Sequence, residues 1–112
     1  ASESVFLTKA IELVEKNLHV PGYSVEQLSR DLCMERTGLY RKLVAMLDQS
    51  PSLFIRNIRL QRAAQLILEG SLSITEIAER TGFSSSSYLS KCFQEMYGCR
   101  PSEYAEKMQK ST

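Results

Sequence analysis

The chain has 112 residues, which is enough for one domain or for two very small subdomains that share an element. Its 43% hydrophobic and 24% charged residues are ordinary globular proportions, which exclude a disordered or fibrous protein. No apolar run approaches the ~20 residues that cross a bilayer, and no charged leader is visible, so we expect neither membrane contact nor secretion. Three cysteines cannot all pair internally, which favours a reducing compartment such as the cytoplasm.

Charge is distributed unevenly along the chain, although the formal net charge is only +1. Residues 36–68 contain six basic residues and a single acid, Asp48, and therefore carry +5 against −4 in the remainder. A basic middle between acidic flanks favours a polyanionic partner. The alternative is a solvated helix face that carries arginines without binding anything.

Helical periodicity and capping signals predict helices joined by short turns, and no stretch alternates as a strand would. The sequences SVEQ from residue 24 and SITE from residue 73 have the form of capping boxes. Pro51 follows a serine at a helix start, and Gly70 gives a helix stop. In chain order, the predicted helices cover about 4–18, 24–32, 36–47, 51–69, 73–81 and 85–97, with a final turn or two from residue 101.

An internal repeat is the most informative feature of the sequence. Residues 24–29 match 73–78 at an offset of 49, and residues 39–54 match 89–104 at an offset of 50. Each copy consists of a capped helix, a tight turn, a second helix and then Pro-Ser-x-aromatic. The repeat predicts two helix-turn-helix units with a long helix between them.

We therefore expect one all-α domain over residues 1–112, with about seven helices and homeodomain-like units. The first unit covers about 5–50, the linking helix 51–70 and the second unit 71–108. A linking helix of about 19 residues would be roughly 28 Å long. The residues predicted to form the two cores are Val25, Leu28, Leu32, Leu39 and Leu43, and then Ile74, Ile77, Ala78, Leu89 and Phe93.

The outward face of each second helix is the candidate binding surface, because in a helix-turn-helix this face enters the major groove. The residues predicted to contact base edges are Arg36, Thr37, Tyr40, Arg41, Ser86, Ser87, Ser90 and Lys91. The residues predicted to contact phosphate oxygens are Ser24, Lys42, Arg56, Arg59, Ser73 and Ser85. Arginines of the linking helix could instead pair with carboxylates such as those of Glu76 and Glu79.

The stretch 24–104 resembles the DNA-binding domain of AraC/XylS-family transcription regulators. The similarity lies in LYRKL, in FIRNIRLQRAAQLILEG, and above all in ITEIAERTGFSSSSYLSKCFQEMYGCRPSEY, which is close to the family signature. The first two segments look most like the C-terminal output domains of hybrid two-component regulators, in which a sensor kinase shares the polypeptide. The resemblance implies two recognition helices in successive major-groove segments, and the linking helix suits a spacing of one DNA turn, ~34 Å.

The resemblance also implies the partners of such a domain. They are double-stranded DNA and, as a second candidate, RNA polymerase, with no small-molecule ligand in this domain. We expect the isolated fragment to be a monomer and the parent to be dimeric. The domain itself is expected not to be an enzyme, whereas a hybrid parent could carry a histidine kinase and a membrane anchor outside this chain.

Other classes of function have less support in the sequence. Three cysteines and His19 lack the spacing of zinc ligands, so we expect no metal and no cofactor. A single histidine, no paired carboxylates and no phosphate-binding glycine loop argue against an enzyme. The alternative function is a helical protein-interaction module whose basic face binds an acidic partner. That module would depend weakly on duplex sequence, whereas a DNA reader combines strong sequence preference with steep salt dependence.

Two residues depart from the expected pattern. Cys33 stands in the first turn where the second has Gly82, and a positive φ there would cost a non-glycine residue about 1 kcal/mol. Glu35 begins the first recognition helix, where we expect its carboxylate to satisfy backbone N–H groups, adding about 0.3–1 kcal/mol while repelling phosphate. Alternatively, Glu35 accepts a hydrogen bond from a cytosine amino group.

Overall fold

The computed structural model describes residues 2–20 and 22–110, and within them it contains seven α-helices and no strand. This confirms the predicted all-α class. None of the helices in these residues combines the length and apolar character that crossing a bilayer requires. The helices are α1 (Ser2–Lys16), α2 (Val25–Asp31), α3 (Arg36–Leu47), α4 (Pro51–Glu69), α5 (Ile74–Arg80), α6 (Ser86–Tyr97) and α7 (Pro101–Lys110).

Both predicted capping boxes are present, at the starts of α2 and α5. The Ser24 Oγ accepts from the Gln27 N–H at 3.3 Å, and the Gln27 side chain accepts in return from the Ser24 N–H. Ser73 and Glu76 make the same pair of bonds, at 3.2 and 3.0 Å. The hydrogen bonds from Ser73 hold the pKa of the Glu76 carboxyl below its usual range. Two short helices of seven residues thus begin at fixed positions, which matters because short helices are marginal alone.

The two helix-turn-helix turns close with the same backbone hydrogen bond. The Met34 N–H donates to the Ser29 carbonyl, and the Phe83 N–H donates to the Ala78 carbonyl, both at 2.9 Å. A bond of this kind, reaching back five residues, caps the end of α2 and of α5 and turns the chain toward the next helix. The repeat seen in the sequence is therefore a repeat of backbone structure.

The turn position matched by Cys33 and Gly82 adopts the left-handed conformation in both copies. The φ angle is 56° at Cys33 and 79° at Gly82, so the first turn has the positive φ that was considered for it. A side chain with a Cβ atom meets steric repulsion in this region. Cys33 therefore destabilises the first turn by about 1 kcal/mol relative to a glycine such as Gly82 of the second turn.

The chain divides into two compact units, Ala1–Ile58 and Arg59–Thr112, and the division falls inside α4. In the first unit, one face of α1 packs on residues from α2, α3 and the start of α4. The buried apolar residues of this unit are Phe6, Ala10, Val14, Leu18, Tyr23, Leu28, Leu39, Leu43, Phe54, Ile55 and Ile58. The predicted core residues Val25 and Leu32 are partly buried against them.

The second unit has its own core, centred on α6. Leu89 and Phe93 are fully buried there, and Ile77 and Ala78 of α5 are nearly so, whereas Ile74 is partly buried. The other buried members of this hydrophobic cluster are Leu60, Ala63, Ala64, Leu66, Phe83 and Cys92. Each of the ten predicted core residues thus lies in, or packs against, the core of its own unit.

The last helix is longer than the sequence predicted. We expected a turn or two from Pro101, and α7 extends over ten residues to Lys110. Tyr104 explains the difference, because its ring packs against the rings of Phe93 and Tyr97 at centroid distances of 5.2 and 5.1 Å. Burial in this cluster raises the pKa of Tyr97. Tertiary packing thus stabilises a helix that has few apolar residues of its own.

Candidate nucleic-acid interface

Four of the residues predicted to contact base edges are exposed on α3. Leu39 and Leu43 are fully buried on the inner side of the helix. The four exposed residues are Arg36, Thr37, Tyr40 and Arg41. This helix therefore offers two guanidinium groups, a hydroxyl with a methyl group, and a phenol that solvent or a partner can reach.

Arg36 is held toward α2 by an ion pair. Its Nη1 lies 3.5 Å from Oε1 of Glu26, with side-chain exposures of 67% and 63%. Ion pairs this exposed are screened by water and contribute little, with a median of about 0–1 kcal/mol. The contact can thus open at little cost, which leaves the guanidinium of Arg36 available to another partner.

The corresponding face of α6 is less open. Ser87 and Lys91 are exposed, whereas Ser86 and Ser90 are half-buried. Tyr88 lies on the same helix with 45% of its surface exposed, and its ring contacts Phe83 at a centroid distance of 5.8 Å. Tyr88 was not among the residues predicted to contact DNA, because an aromatic residue beside a leucine is more often part of the core than of the surface.

Three serines predicted to contact phosphate occupy helix N-caps. Ser24, Ser73 and Ser85 each accept a backbone N–H through Oγ, at 3.3, 3.2 and 3.0 Å. A hydroxyl that accepts one bond keeps its own hydrogen as a donor. All three are exposed and lie at positive helix termini, where an anion is favoured.

The basic candidates Lys42 and Arg56 are only half-exposed. The Lys42 Nζ lies 4.6 Å from the centroid of the Phe6 ring, a cation–π contact that places its ammonium beside α1. The Arg56 Nε is buried without a hydrogen-bond partner within the residues that the structure describes. The side chains of Lys42 and Arg56 are therefore partly packed into the first unit.

Arg59, for which a phosphate contact was predicted, is buried. Only 7% of its surface is exposed, and its Nη1 donates to the Thr81 carbonyl at 2.7 Å. Burial lowers the pKa of the Arg59 guanidinium. The phosphate contact predicted for this residue does not fit its burial, because the guanidinium faces the protein interior. The periodicity of the arginines indicated a shared face but could not show which part of that face is covered.

Glu35 is the N-cap of α3, with an extended backbone at φ −78° and ψ 153°, but its side chain makes no capping hydrogen bond. The expectation that its carboxylate satisfies the first N–H groups of the helix is therefore wrong. Short side chains such as serine and aspartate suit the N-cap, and glutamate carries its oxygens one methylene too far. At the equivalent position of α6, the Ser85 Oγ accepts from the Tyr88 N–H.

We expect Glu35→Ser to raise the free energy of unfolding by about 0.5–2 kcal/mol, because serine adds the missing cap. Urea unfolding followed by circular dichroism measures this change. The matched control is Ser85→Ala, which removes the existing cap of α6 and is expected to lower stability by a similar amount. A Glu35→Ser chain no more stable than the native one would contradict this account of the N-cap.

Comparisons with known proteins agree with this arrangement. A family model described as a helix-turn-helix domain matches residues 28–107. A transcriptional regulator from Chromobacterium violaceum with an AraC-type DNA-binding domain superposes with a TM-score of 0.84 at 30% identity, covering 93% of this chain and 92% of that one. The C-terminal domain of AraT, a response regulator from Geobacillus stearothermophilus, gives 0.82 at 27% identity and covers 96% and 88%.

Two curated relatives extend the comparison to longer proteins. Histidine kinase P4 of Formosa agariphila is 40% identical over 98 residues, which are 88% of this chain and 7% of the kinase. The HTH-type transcriptional regulator ArgR of Pseudomonas aeruginosa is 32% identical over 97 residues, 87% of this chain and 29% of that regulator. The chain thus spans less than a third of either relative.

The two capped helix-turn-helix units and the exposed face of α3 define a DNA-binding protein of the helix-turn-helix class. Within that class, the chain belongs to the AraC-type DNA-binding domains of transcription regulators.

Proposed function

We propose that the chain is the sequence-specific output domain of a bacterial transcription regulator, with α3 and α6 as its two recognition helices. The observation that carries the proposal is the exposed row of polar and basic side chains on α3, backed by fully buried Leu39 and Leu43. In this proposal the units 5–50 and 71–108 each insert one helix into the major groove, and the helix 51–70 joins them.

The side chains suit different tasks at a duplex. Arg36 and Arg41 can each bond guanine with two hydrogen bonds, and Thr37 can place its methyl group on thymine. We assign base contacts to these residues and to Tyr40, Ser86, Ser87, Ser90 and Lys91. We assign phosphate contacts to Ser24, Ser73, Ser85, Lys42 and Arg56, and we leave Arg59 out because it is buried. Tyr88, which the sequence analysis missed, joins the surface of α6.

We propose further that the parent protein is a hybrid two-component regulator acting in the cytoplasm. The 40% identity to a segment of a histidine kinase supports this parentage. Any kinase activity would then belong to parts outside this chain, as would a membrane anchor. RNA polymerase is the second partner we propose. Dimerisation of the parent would place two such domains on neighbouring sites and raise affinity through avidity, whereas the fragment alone is a monomer.

Replacing Arg41 tests the proposal directly. We expect Arg41→Ala to weaken binding by about 1–3 kcal/mol and to relax the preference at one base position, because a guanidinium bonded to two base atoms discriminates that base. Binding is measured on a duplex selected from a random library with the native chain, and on all its single-base variants, at two salt concentrations. The matched control is Lys16→Ala, which removes one positive charge at the end of α1.

Three outcomes separate the alternatives. A change of preference confined to one position supports base contact by Arg41. An equal loss on every duplex would make Arg41 a phosphate contact instead. If the native chain itself shows no preference among duplexes, the proposed function is wrong, and the module binding an acidic partner becomes the better account.

A further inference from the structure

The buried Arg59 is an arginine in the linking helix that no DNA contact explains. It lies on α4, in the same compact unit as the turn between α5 and α6. Its Nη1 donates to the carbonyl of Thr81, the fully buried C-cap of α5, at 2.7 Å. A charged donor this close to a buried carbonyl makes a strong hydrogen bond, because little water competes for either group.

The bond falls where the backbone most needs a donor. At the end of α5, the Ile77 carbonyl already accepts from the N–H and the hydroxyl of Thr81, and the Ala78 carbonyl accepts from the Phe83 N–H. The Thr81 carbonyl takes no part in these bonds. It is buried, and an unpaired acceptor inside the protein is costly. A cation at this point also complements the negative end of the helix dipole. Arg59 thus ties α4 to the turn that leads into α6.

The first unit is built differently at the equivalent place. An offset of 49 residues relates α2 to α5. Applied to α1, the same offset aligns Phe6, Ala10 and Val14 with Ile55, Arg59 and Ala63 of α4, and all six residues are buried. Ala10 therefore stands where the second unit has Arg59. A methyl group cannot donate a hydrogen bond, so the residue at this position of the first unit cannot make the bond that Arg59 makes.

We propose that Arg59 is a positioning residue for DNA recognition by the second unit. By holding the Thr81 carbonyl, it fixes the turn and therefore the direction in which α6 presents Ser87 and Lys91 to a duplex. Recognition by α3 does not depend on it. The proposal rests on the function proposed above, and it contrasts with a phosphate contact, which would bring affinity without base preference.

The test compares Arg59→Met and Arg59→Lys with the native chain and with the control Arg62→Met. Arg62 is exposed on the same helix, with its Nη1 bonded to the Gln65 side chain at 2.8 Å, so the control removes the same charge. Binding is measured at several salt concentrations to a duplex selected from a random library with the native chain and to its single-base variants. The half of the site contacted by α6 is the half at which Lys91→Ala relaxes preference.

The positioning role predicts a selective effect. Arg59→Met is expected to reduce base preference about tenfold or more in the α6 half only, roughly the discrimination carried by one base pair. Its salt dependence should match the native slope, and Arg62→Met should keep the preference in both halves. Arg59→Lys should show the same loss to a smaller degree, since an ammonium cannot reproduce the planar guanidinium in a buried site.

Opposite results would overturn the proposal. A phosphate contact predicts that Arg59→Met weakens all duplexes alike and lowers the slope of log K against log salt by about 0.9. It also predicts that Arg59→Lys binds like the native chain, so this variant decides the question if Arg59→Met fails to fold. Equal loss in both halves would indicate general destabilisation and would also contradict us.

Amide hydrogen exchange without DNA tests the structural step separately. We expect Arg59→Lys to speed exchange at the Phe83 amide and to leave the Met34 amide of the first turn unchanged. Unchanged exchange at Phe83 would refute the role of the hydrogen bond. A native chain without base preference would instead refute the proposed function, so the two failures are distinguishable.

Discussion

The Ala64→Pro variant is expected to unfold with a free energy about 3 kcal/mol or more below that of the native chain. Ala64 lies in the interior of α4 with 5% of its surface exposed, so proline removes a helix hydrogen bond and forces its ring against the carbonyl of residue 60. Under the proposed function, a break in the linking helix should also shorten the footprint on DNA. Urea unfolding and footprinting measure the two effects.

The control for this variant is Gln61→Ala, an exposed change on the same helix that should alter stability by no more than about 0.5 kcal/mol. A chain carrying Ala64→Pro that kept native stability and a full footprint would show that continuity of α4 is unnecessary. That result would remove the linking helix from the account of how two recognition helices act together.

The Phe93→Ala variant is expected to lose about 3–5 kcal/mol, the usual cost of truncating a large buried aromatic residue. Phe93 is fully buried, and its ring lies 4.5 Å from that of Tyr97 and 5.2 Å from that of Tyr104, measured between centroids. Removing it opens a cavity between α6 and α7, which α7 alone cannot close. Calorimetry gives the change in stability.

Gln94→Ala is the matched control, because residue 94 is the exposed neighbour on the same helix. We expect it to stay within about 0.5 kcal/mol of the native chain. A loss below about 1 kcal/mol for Phe93→Ala would mean that the aromatic cluster does not hold α7 in place.

The local signals in the sequence predicted the helix boundaries well. Ser24 and Ser73 start their helices through capping boxes, and Pro51 and Gly70 bound α4 as expected. These signals work because capping depends on a few neighbouring residues and on the backbone between them. The repeat also matched Cys33 with Gly82, and both residues have a positive φ.

Exposure on a helix face was harder to predict. Arg56, Arg59 and Arg62 are spaced three residues apart, and phosphate contacts were predicted for the first two of them. The structure leaves Arg62 exposed, half-covers Arg56 and buries Arg59 against a carbonyl 22 residues away. Which arginine is covered depends on the path of a distant turn, and helical spacing contains no information about that path.

The sequence by itself determined the all-helical class, the repeat, the helix starts and the side of α3 that meets solvent, because periodicity and capping are local properties. Only the tertiary structure decided the length of α7, the missing cap at Glu35 and the burial of Arg59. Those features depend on where a ring, a carboxylate or a guanidinium finds a partner in space. Such partners come from elements far apart in the chain, and their free energy can outweigh local preference.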